Sequence, residues 1–184
     1  MKLICLGDSL TEGHEISKDT NWVSRLNDLV SYDVINSGIC GDTTTGMLSR
    51  FRHDVLEHKP SHLIILGSSN DIYFNVPLSI IISNLYAMTR LANSNCIQVI
   101  LGLPPKTYYK SPIRSIGDSF DMDDAIDNYR DVLRLFCVEH ELDYIDFNDN
   151  LSEMSYLNDY LHPNETGHHI MIETVLDHLK KITP

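Results

Sequence analysis

The sequence lacks the marks of several large functional classes. No apolar run approaches the roughly 20 residues that cross a bilayer. Met1-Lys2 is followed only by Leu3-Ile4-Cys5-Leu6 before Gly7-Asp8, too short for the apolar core of a secretory leader. A cytoplasmic chain without stable membrane association is therefore expected. Basic residues are scarce, 14 Lys and Arg against 26 Asp and Glu, a formal charge of −12. That field repels phosphate backbones, so no nucleic acid is expected as a partner. There is no H-E-x-x-H and no cysteine–histidine spacing suited to zinc, so neither metal nor cofactor is expected. Both glycine-rich nucleotide signatures, G-x-G-x-x-G and G-x-x-x-x-G-K-[ST], are also missing. No C-x-x-C occurs: Cys5, Cys40, Cys96 and Cys137 are widely and irregularly spaced, as suits a reducing compartment. Cys5, Cys96 and Cys137 lie in apolar runs and read as small buried hydrophobes. Cys40 follows a glycine turn and reads as more exposed.

What is present is an ordinary globular composition, 42% apolar over 184 residues, enough for one domain spanning 1–184. Short apolar runs alternate with longer amphipathic ones. Segments 2–6, 33–36, 62–66, 96–101 and 143–147 are rich in Ile, Leu and Val and barely alternate, as in strands buried on both faces of a parallel sheet. Between them lie helix patterns with apolar residues three or four apart. One carries Trp22, Val23, Leu26 and Leu29. The next carries Met47, Leu48, Phe51 and Val55, with Asp42 or Thr43 placed to cap it. A third begins at Pro77, taken as its first helical residue, and carries Ile81, Ile82, Leu85 and Met88. A fourth carries Ile126, Tyr129, Leu133 and Phe136, and the last follows Pro163. Repeated β-α units predict an α/β fold, a three-layer α/β/α sandwich on a five-stranded parallel sheet with right-handed crossovers. A flavodoxin-like order, 2-1-3-4-5, is expected for it and would make the first three strand ends neighbours. Segment 103–120 is the longest irregular stretch, and a loop of that length in a compact domain is usually functional.

Ligands of open parallel sheets bind beyond the carboxyl ends of the strands, where strand order reverses. Three strand ends here carry glycine and small polar residues: Gly7-Asp8-Ser9-Leu10, Asn36-Ser37-Gly38-Ile39-Cys40-Gly41-Asp42, and Gly67-Ser68-Ser69-Asn70-Asp71. Far along the chain, Asp159 and His162 stand three apart just before Pro163. That spacing lets an aspartate accept from one imidazole nitrogen while the other faces the crevice, the orienter–base half of a triad.

These four motifs together resemble the blocks of the SGNH, or GDSL-type, hydrolases. Gly7-Asp8-Ser9-Leu10 resembles the nucleophile block and Asn36-x-Gly38-x-x-Gly41 the second. Gly67-Ser68-Ser69-Asn70-Asp71 resembles a third block that often reads Gly-Gly-Thr-Asn-Asp, so Ser68 departs from it. Asp159-x-x-His162-Pro163-Asn164 resembles the last. The matches keep the family order and span residues 7–162. The resemblance implies a carboxylester hydrolase, with Ser9 as nucleophile, His162 as base and Asp159 as its orienter. It implies an oxyanion hole built from the backbone N–H groups of Ser9 and Gly38 and the side-chain amide of Asn70. It also implies a small-molecule ester as partner, and the short chain without a secretory leader favours a small soluble or short-acyl one.

Taken singly, each of these residues has a plainer reading. Ser9 alone would be a turn residue, Asp159 a turn former and Asn70 a left-handed turn position. Gly41 reads as structural, and Asp8 and Asn36 as braces for their turns. Tyr73, Tyr108 and Tyr109 follow strands and are candidates to line a substrate pocket, with lid packing as the equal alternative. His14, His53, His58, His62, His140, His168, His169 and His178 read mostly as solvated helix or loop residues. The competing function is a non-catalytic flavodoxin-like module whose glycine and serine turns hold a nucleotide or phosphate. An ordinary α/β-hydrolase is excluded because it requires G-x-S-x-G, which the sequence does not contain.

Overall fold

The computed structural model describes residues 1–108 and 121–182. Five strands form one parallel sheet: β1 (Lys2–Gly7), β2 (Asp33–Gly38), β3 (His62–Leu66), β4 (Gln98–Leu103) and β5 (Asp143–Asp146). Their order is β2-β1-β3-β4-β5, so the chain reverses direction across the sheet beside β1. The helices are α1 (Ser9–Glu12), α2 (Trp22–Leu29), α3 (Thr44–Asp54), α4 (Ser69–Tyr73), α5 (Leu78–Asn93), α6 (Met122–Glu139) and α7 (Glu165–Ile182).

Side-chain alternation along the strands divides the core in two. Leu3 and Cys5 of β1 point to a layer made by Trp22, Val23 and Leu26 of α2 and Met171, Val175 and Leu179 of α7. Ile4 and Leu6 point the other way, to Met47 and Phe51 of α3, Ile81 and Leu85 of α5, and Ile126 and Leu133 of α6. This is the expected α/β/α arrangement, and the central strands are buried on both faces. Edge strand β2 is not: half-buried and exposed positions run along it, because it has a neighbour on one side only.

Several local expectations are corrected. Fourth-strand pairing begins at Gln98, because α5 ends in a turn where Ile97 N–H returns to the Ala92 carbonyl and Cys96 takes φ +59°. Cys96 is thereby exposed rather than buried, while Cys5 and Cys137 are buried and Cys40 is exposed. Leu29 ends α2 at 53% exposure, outside the apolar stripe. Pro77 caps α5 rather than opening it. Thr43 caps α3, its hydroxyl accepting from Gly46 N–H, whereas Asp42 is taken by Arg50. The turns after β1 and β3 are one-turn helices, α1 and α4. No helix among the described residues is long and apolar enough to cross a membrane.

Register places the chemistry-bearing turns together. Gly7, at the end of β1, pairs with Gly38 on one side and Leu66 on the other, so the three strands end level. The third turn holds a strained residue: Ser68 is fully buried at φ +89°, a conformation that suits glycine. Its hydroxyl accepts from the phenol of Tyr129 on α6 at 2.8 Å, which gives the side chain a purpose there. Tyr129→Phe should therefore cost about 1–2 kcal/mol, because it leaves a buried hydroxyl unpaired. The same change in a Ser68→Gly background should cost less than half as much by urea denaturation. Equal costs in both backgrounds would show that the two groups are not coupled.

Candidate active site

The first turn is built to present Ser9. Asp8 caps α1, its Oδ1 accepting Leu10 N–H at 2.9 Å, and Ser9 is the first helical residue. The Ser9 N–H has no acceptor among the described residues. Its Oγ lies 2.9 Å from His162 Nε2, a contact between residues 153 apart in sequence.

His162 comes from an irregular segment that its own side chains organise. Asp159 Oδ1 accepts the backbone N–H groups of Leu161 and His162, both at 3.0 Å, and so closes a tight turn. The other oxygen, Oδ2, lies 2.6 Å from His162 Nδ1. Burial pushes the Asp159 carboxyl up, but the His162 and Leu161 N–H groups and the imidazole outweigh that and hold it below the usual range. A carboxylate only accepts, so Nδ1 carries the proton and Nε2 is left as acceptor for the Ser9 hydroxyl. Asn164 anchors the segment: its amide donates to the carbonyls of Met154 and Tyr156, and its oxygen accepts Gly167 N–H at the start of α7.

The second and third turns hold each other. Asn70 donates its amide to the Asp42 carbonyl at 2.9 Å, which leaves a second amide hydrogen available. Buried Asp71 accepts from both the backbone and the hydroxyl of Thr44, fixing the start of α3. Gly38 is not where the sequence reading placed it. Its N–H is donated to Asn36 Oδ1 at 2.9 Å, and a Cβ there would stand 2.2 Å from Glu12 N. Glycine is needed at 38 so that β2 can pass against α1, not to face a ligand. Gly41 has the properties assigned to Gly38: φ is +79°, nothing lies within 4 Å of where its Cβ would be, and its N–H has no acceptor among the described residues. Asn36 and Asp8 brace their turns as read.

Ser9 and His162 open onto a cavity of about 140 Å³, which Asn70 and Ser69 also line and which Leu10, Tyr73, Pro105, Met122 and Leu161 wall. Tyr73 is in the lining, as anticipated. Tyr108 is not: its ring packs edge-on against Tyr156 at 5.3 Å, and its N–H donates to the Tyr160 carbonyl, supporting the His162 segment from behind. Tyr109, with most of segment 103–120, lies outside the described residues. A larger polar cavity of about 530 Å³ lies beside β5, lined by Arg134, Asp146, Asp177, His178 and others. Its imidazole pairs with Asp143 and faces no activated hydroxyl, so the smaller cavity is the chemical one.

Two histidines taken for solvated residues belong near the site. The His14 ring lies 4.3 Å from that of His162, centroid to centroid, and one ligand atom each from His14, Asp159 and His162 lies within 4.8 Å of the other two, close enough to share a metal ion. His168 is buried, and its Nδ1 accepts Trp22 N–H at 3.1 Å. His14 falls in no motif and on no periodic face, so only the tertiary fold reveals it, whereas His168 stands four residues before Ile172 on the buried stripe of α7 and could have been read as buried from that spacing.

Asp8 and His168 give the site region opposing pH dependences. Burial, reinforced by the carboxylates of Asp71 and Asp42 and opposed by the N–H groups of Leu10 and Ser69, raises Asp8 from 3.8 to about 7. The folded chain then keeps a proton that the unfolded chain has lost, so this contribution to stability is present in acid and disappears as pH rises through that window. Burial, then the nearby His162, lowers His168 from 6.5 to about 4. Below 6.5 the unfolded chain is protonated and the folded one is not, so stability is lost as pH falls toward 4. Asp8→Asn removes only the first effect. Its stability, measured by urea denaturation, should fall more steeply than the wild type's between pH 7 and 5. Parallel curves would mean that folded Asp8 is already ionised throughout.

Comparison with known proteins agrees with this geometry. Residues 5–170 match the model of the GDSL-like lipase/acylhydrolase family. The chain is 33% identical over 112 residues to an arylesterase of Vibrio mimicus, covering 56% of each chain. It is 29% identical over 111 residues to the esterase TesA of Pseudomonas aeruginosa, covering 56% of this chain and 55% of that one. The chain thus spans about half the length of these relatives. Among solved structures, a G-D-S-L-family lipolytic protein of Desulfitobacterium hafniense is 26% identical with a TM-score of 0.81, over 95% of this chain and 97% of that one. An acetyl xylan esterase, AlAXEase, shares the fold at 18% identity and a TM-score of 0.81, over 97% of this chain and 100% of that one. Strand order, motif order and family match lead to one assignment: the chain belongs to the GDSL-like lipase/acylhydrolase family.

Proposed function

We propose that this chain hydrolyses carboxylic esters of small soluble or short-acyl substrates through Ser9, His162 and Asp159. The observation that carries the reading is the continuous chain of contacts from Ser9 Oγ to His162 Nε2 (2.9 Å) and from Nδ1 to Asp159 Oδ2 (2.6 Å). As Ser9 attacks the acyl carbon, its proton passes to Nε2, and the imidazolium is held by the Asp159 carboxylate. The imidazolium then protonates the departing alcohol, and water repeats the sequence to release the acid. The developing oxyanion is met by the Ser9 N–H, the Asn70 amide and the Gly41 N–H, with Gly41 replacing Gly38 in this role. An uncharged amide suits that task, since it stabilises the oxyanion without trapping an anionic product.

Similarity to an arylesterase and to an esterase supports ester chemistry. The small cavity, with apolar walls from Leu10, Pro105, Met122 and Leu161, supports a small acyl group beside Ser9. A net charge of −12 also disfavours anionic phosphate esters.

Ser9→Ala should lower kcat on a p-nitrophenyl ester by about 10⁴–10⁶ and abolish labelling by a fluorophosphonate. An unlabelled, inactive wild type would instead favour the phosphate- or nucleotide-binding module. Asn70→Ala should cost on the order of 10²–10³ in kcat, and full turnover would remove it from the oxyanion hole. Across esters from acetyl to palmitoyl, kcat/KM should peak at the short end. A palmitoyl optimum would overturn the short-acyl reading.

A further inference from the structure

His14 has no part in the proton path above, yet its ring lies against His162. Its side chain is 38% exposed, it follows Gly13 at φ +92°, and its Nε2 lies 3.8 Å from Glu15 Oε1. Together with Asp159 and His162 it offers two imidazoles and a carboxylate whose ligand atoms all lie within 4.8 Å of one another. Zinc, cobalt and nickel favour that donor set. A tetrahedral ion with bonds of about 2.0–2.1 Å spaces its ligands roughly 3.4 Å apart. The Asp159–His162 pair, now at 2.6 Å, must open by less than ~1 Å, and His14 must approach by at most ~1.4 Å. A partly exposed side chain on a loop can make that movement by rotation about its side-chain bonds. The negative charge of the chain raises the local cation concentration.

We propose that His14, Asp159 and His162 form a binding site for a zinc-class divalent cation, and that the bound ion reversibly inhibits the enzyme. An ion on His162 Nδ1 displaces the proton now shared with Asp159, which leaves to solvent. An ion on Nε2 displaces the Ser9 hydroxyl instead. In either case the imidazole lone pair that would receive the Ser9 proton, or the carboxylate that orients it, is bonded to metal. The inhibition rests on the hydrolase reading; the binding does not.

The test is titration of ester hydrolysis with Zn²⁺, each variant normalised to its own metal-free rate. The wild type should be inhibited and recover on addition of EDTA. His14→Gln should need at least about tenfold more Zn²⁺ for the same inhibition, as expected for loss of one ligand. Exposed Cys40 and Cys96 are the other soft donors, and a C40S/C96S variant should respond as the wild type does. An H14Q enzyme as sensitive as the wild type, a resistant C40S/C96S enzyme, or an insensitive wild type would each overturn the proposal. Binding is read separately with Co²⁺, whose visible absorption should develop in Ser9→Ala and disappear in S9A/H14Q. Development of that band beside a wild type inactive on every ester would refute the hydrolase reading while leaving the site intact. No band in Ser9→Ala would refute the site itself.

Discussion

Trp22 is the constraint on which the active geometry depends. Its backbone N–H donates to His168 Nδ1 on α7, and its indole donates to the Leu10 carbonyl on α1 at 2.8 Å. One fully buried residue, through its backbone N–H and its indole, thus joins the helix that follows His162 to the helix that begins with Ser9. Asn21, just before it, caps α2 with its oxygen and donates its amide to the carbonyls of Thr11 and Glu12. A 2.9 Å contact between residues 9 and 162 needs such a tie, because helices of one turn have little stability of their own. A neutral His168 is part of the arrangement, since only an unprotonated Nδ1 can accept from Trp22. Burial supplies that neutrality.

The other half of the site is held by charge. Arg50 of α3 donates to the carbonyls of Gly7 and Ser37 and pairs with Asp42 and Asp54. It therefore binds the ends of β1 and β2 to the loop that carries Gly41. Asn70 and Asp71 reach the same loop and helix from the third turn. Asn70 and Ser9, which line the cavity, keep a donor free there because neighbouring side chains have already satisfied the rest of the loop.

The layer architecture is legible in the sequence because fully buried strands and one-stripe helices have distinct periods, whereas the sheet order comes only with the flavodoxin-like expectation, since no period encodes which strands pair. Ser9, Asp159 and His162 are legible because two short motifs carry them, each organised by its own local hydrogen bonds. Gly38 and Gly41 could not be separated that way. Both are glycines of one turn, and what distinguishes them is that Glu12 backbone lies against the first and open space against the second. His14 and Tyr108 are likewise settled by what packs beside them, His162 and Tyr156, at separations in sequence that no local pattern encodes. Cys96 shows the same limit in reverse. Its apolar neighbours suggest burial, but the last turn of α5 points it outward.

The Asp159 carboxylate shows why residue type, and not charge alone, governs the state of the His162 imidazole. Its two oxygens have separate tasks: Oδ1 satisfies two backbone N–H groups, and Oδ2 meets only the imidazole. The turn so formed places the His162 backbone, and the imidazole then returns to the carboxylate that made the turn. Position and electrostatics are therefore set by one group, with no separate element to align. A glutamate has the same charge, but its extra methylene moves the carboxyl away from its own backbone. It could hold the turn or orient the ring, not both at these distances. An asparagine could hold the turn through its oxygen but would present an amide N–H to Nδ1, favouring the tautomer with the proton on Nε2, where it would face Ser9 as a donor. Aspartate is the side chain short enough for the turn and anionic enough to keep Nε2 an acceptor for the Ser9 hydroxyl.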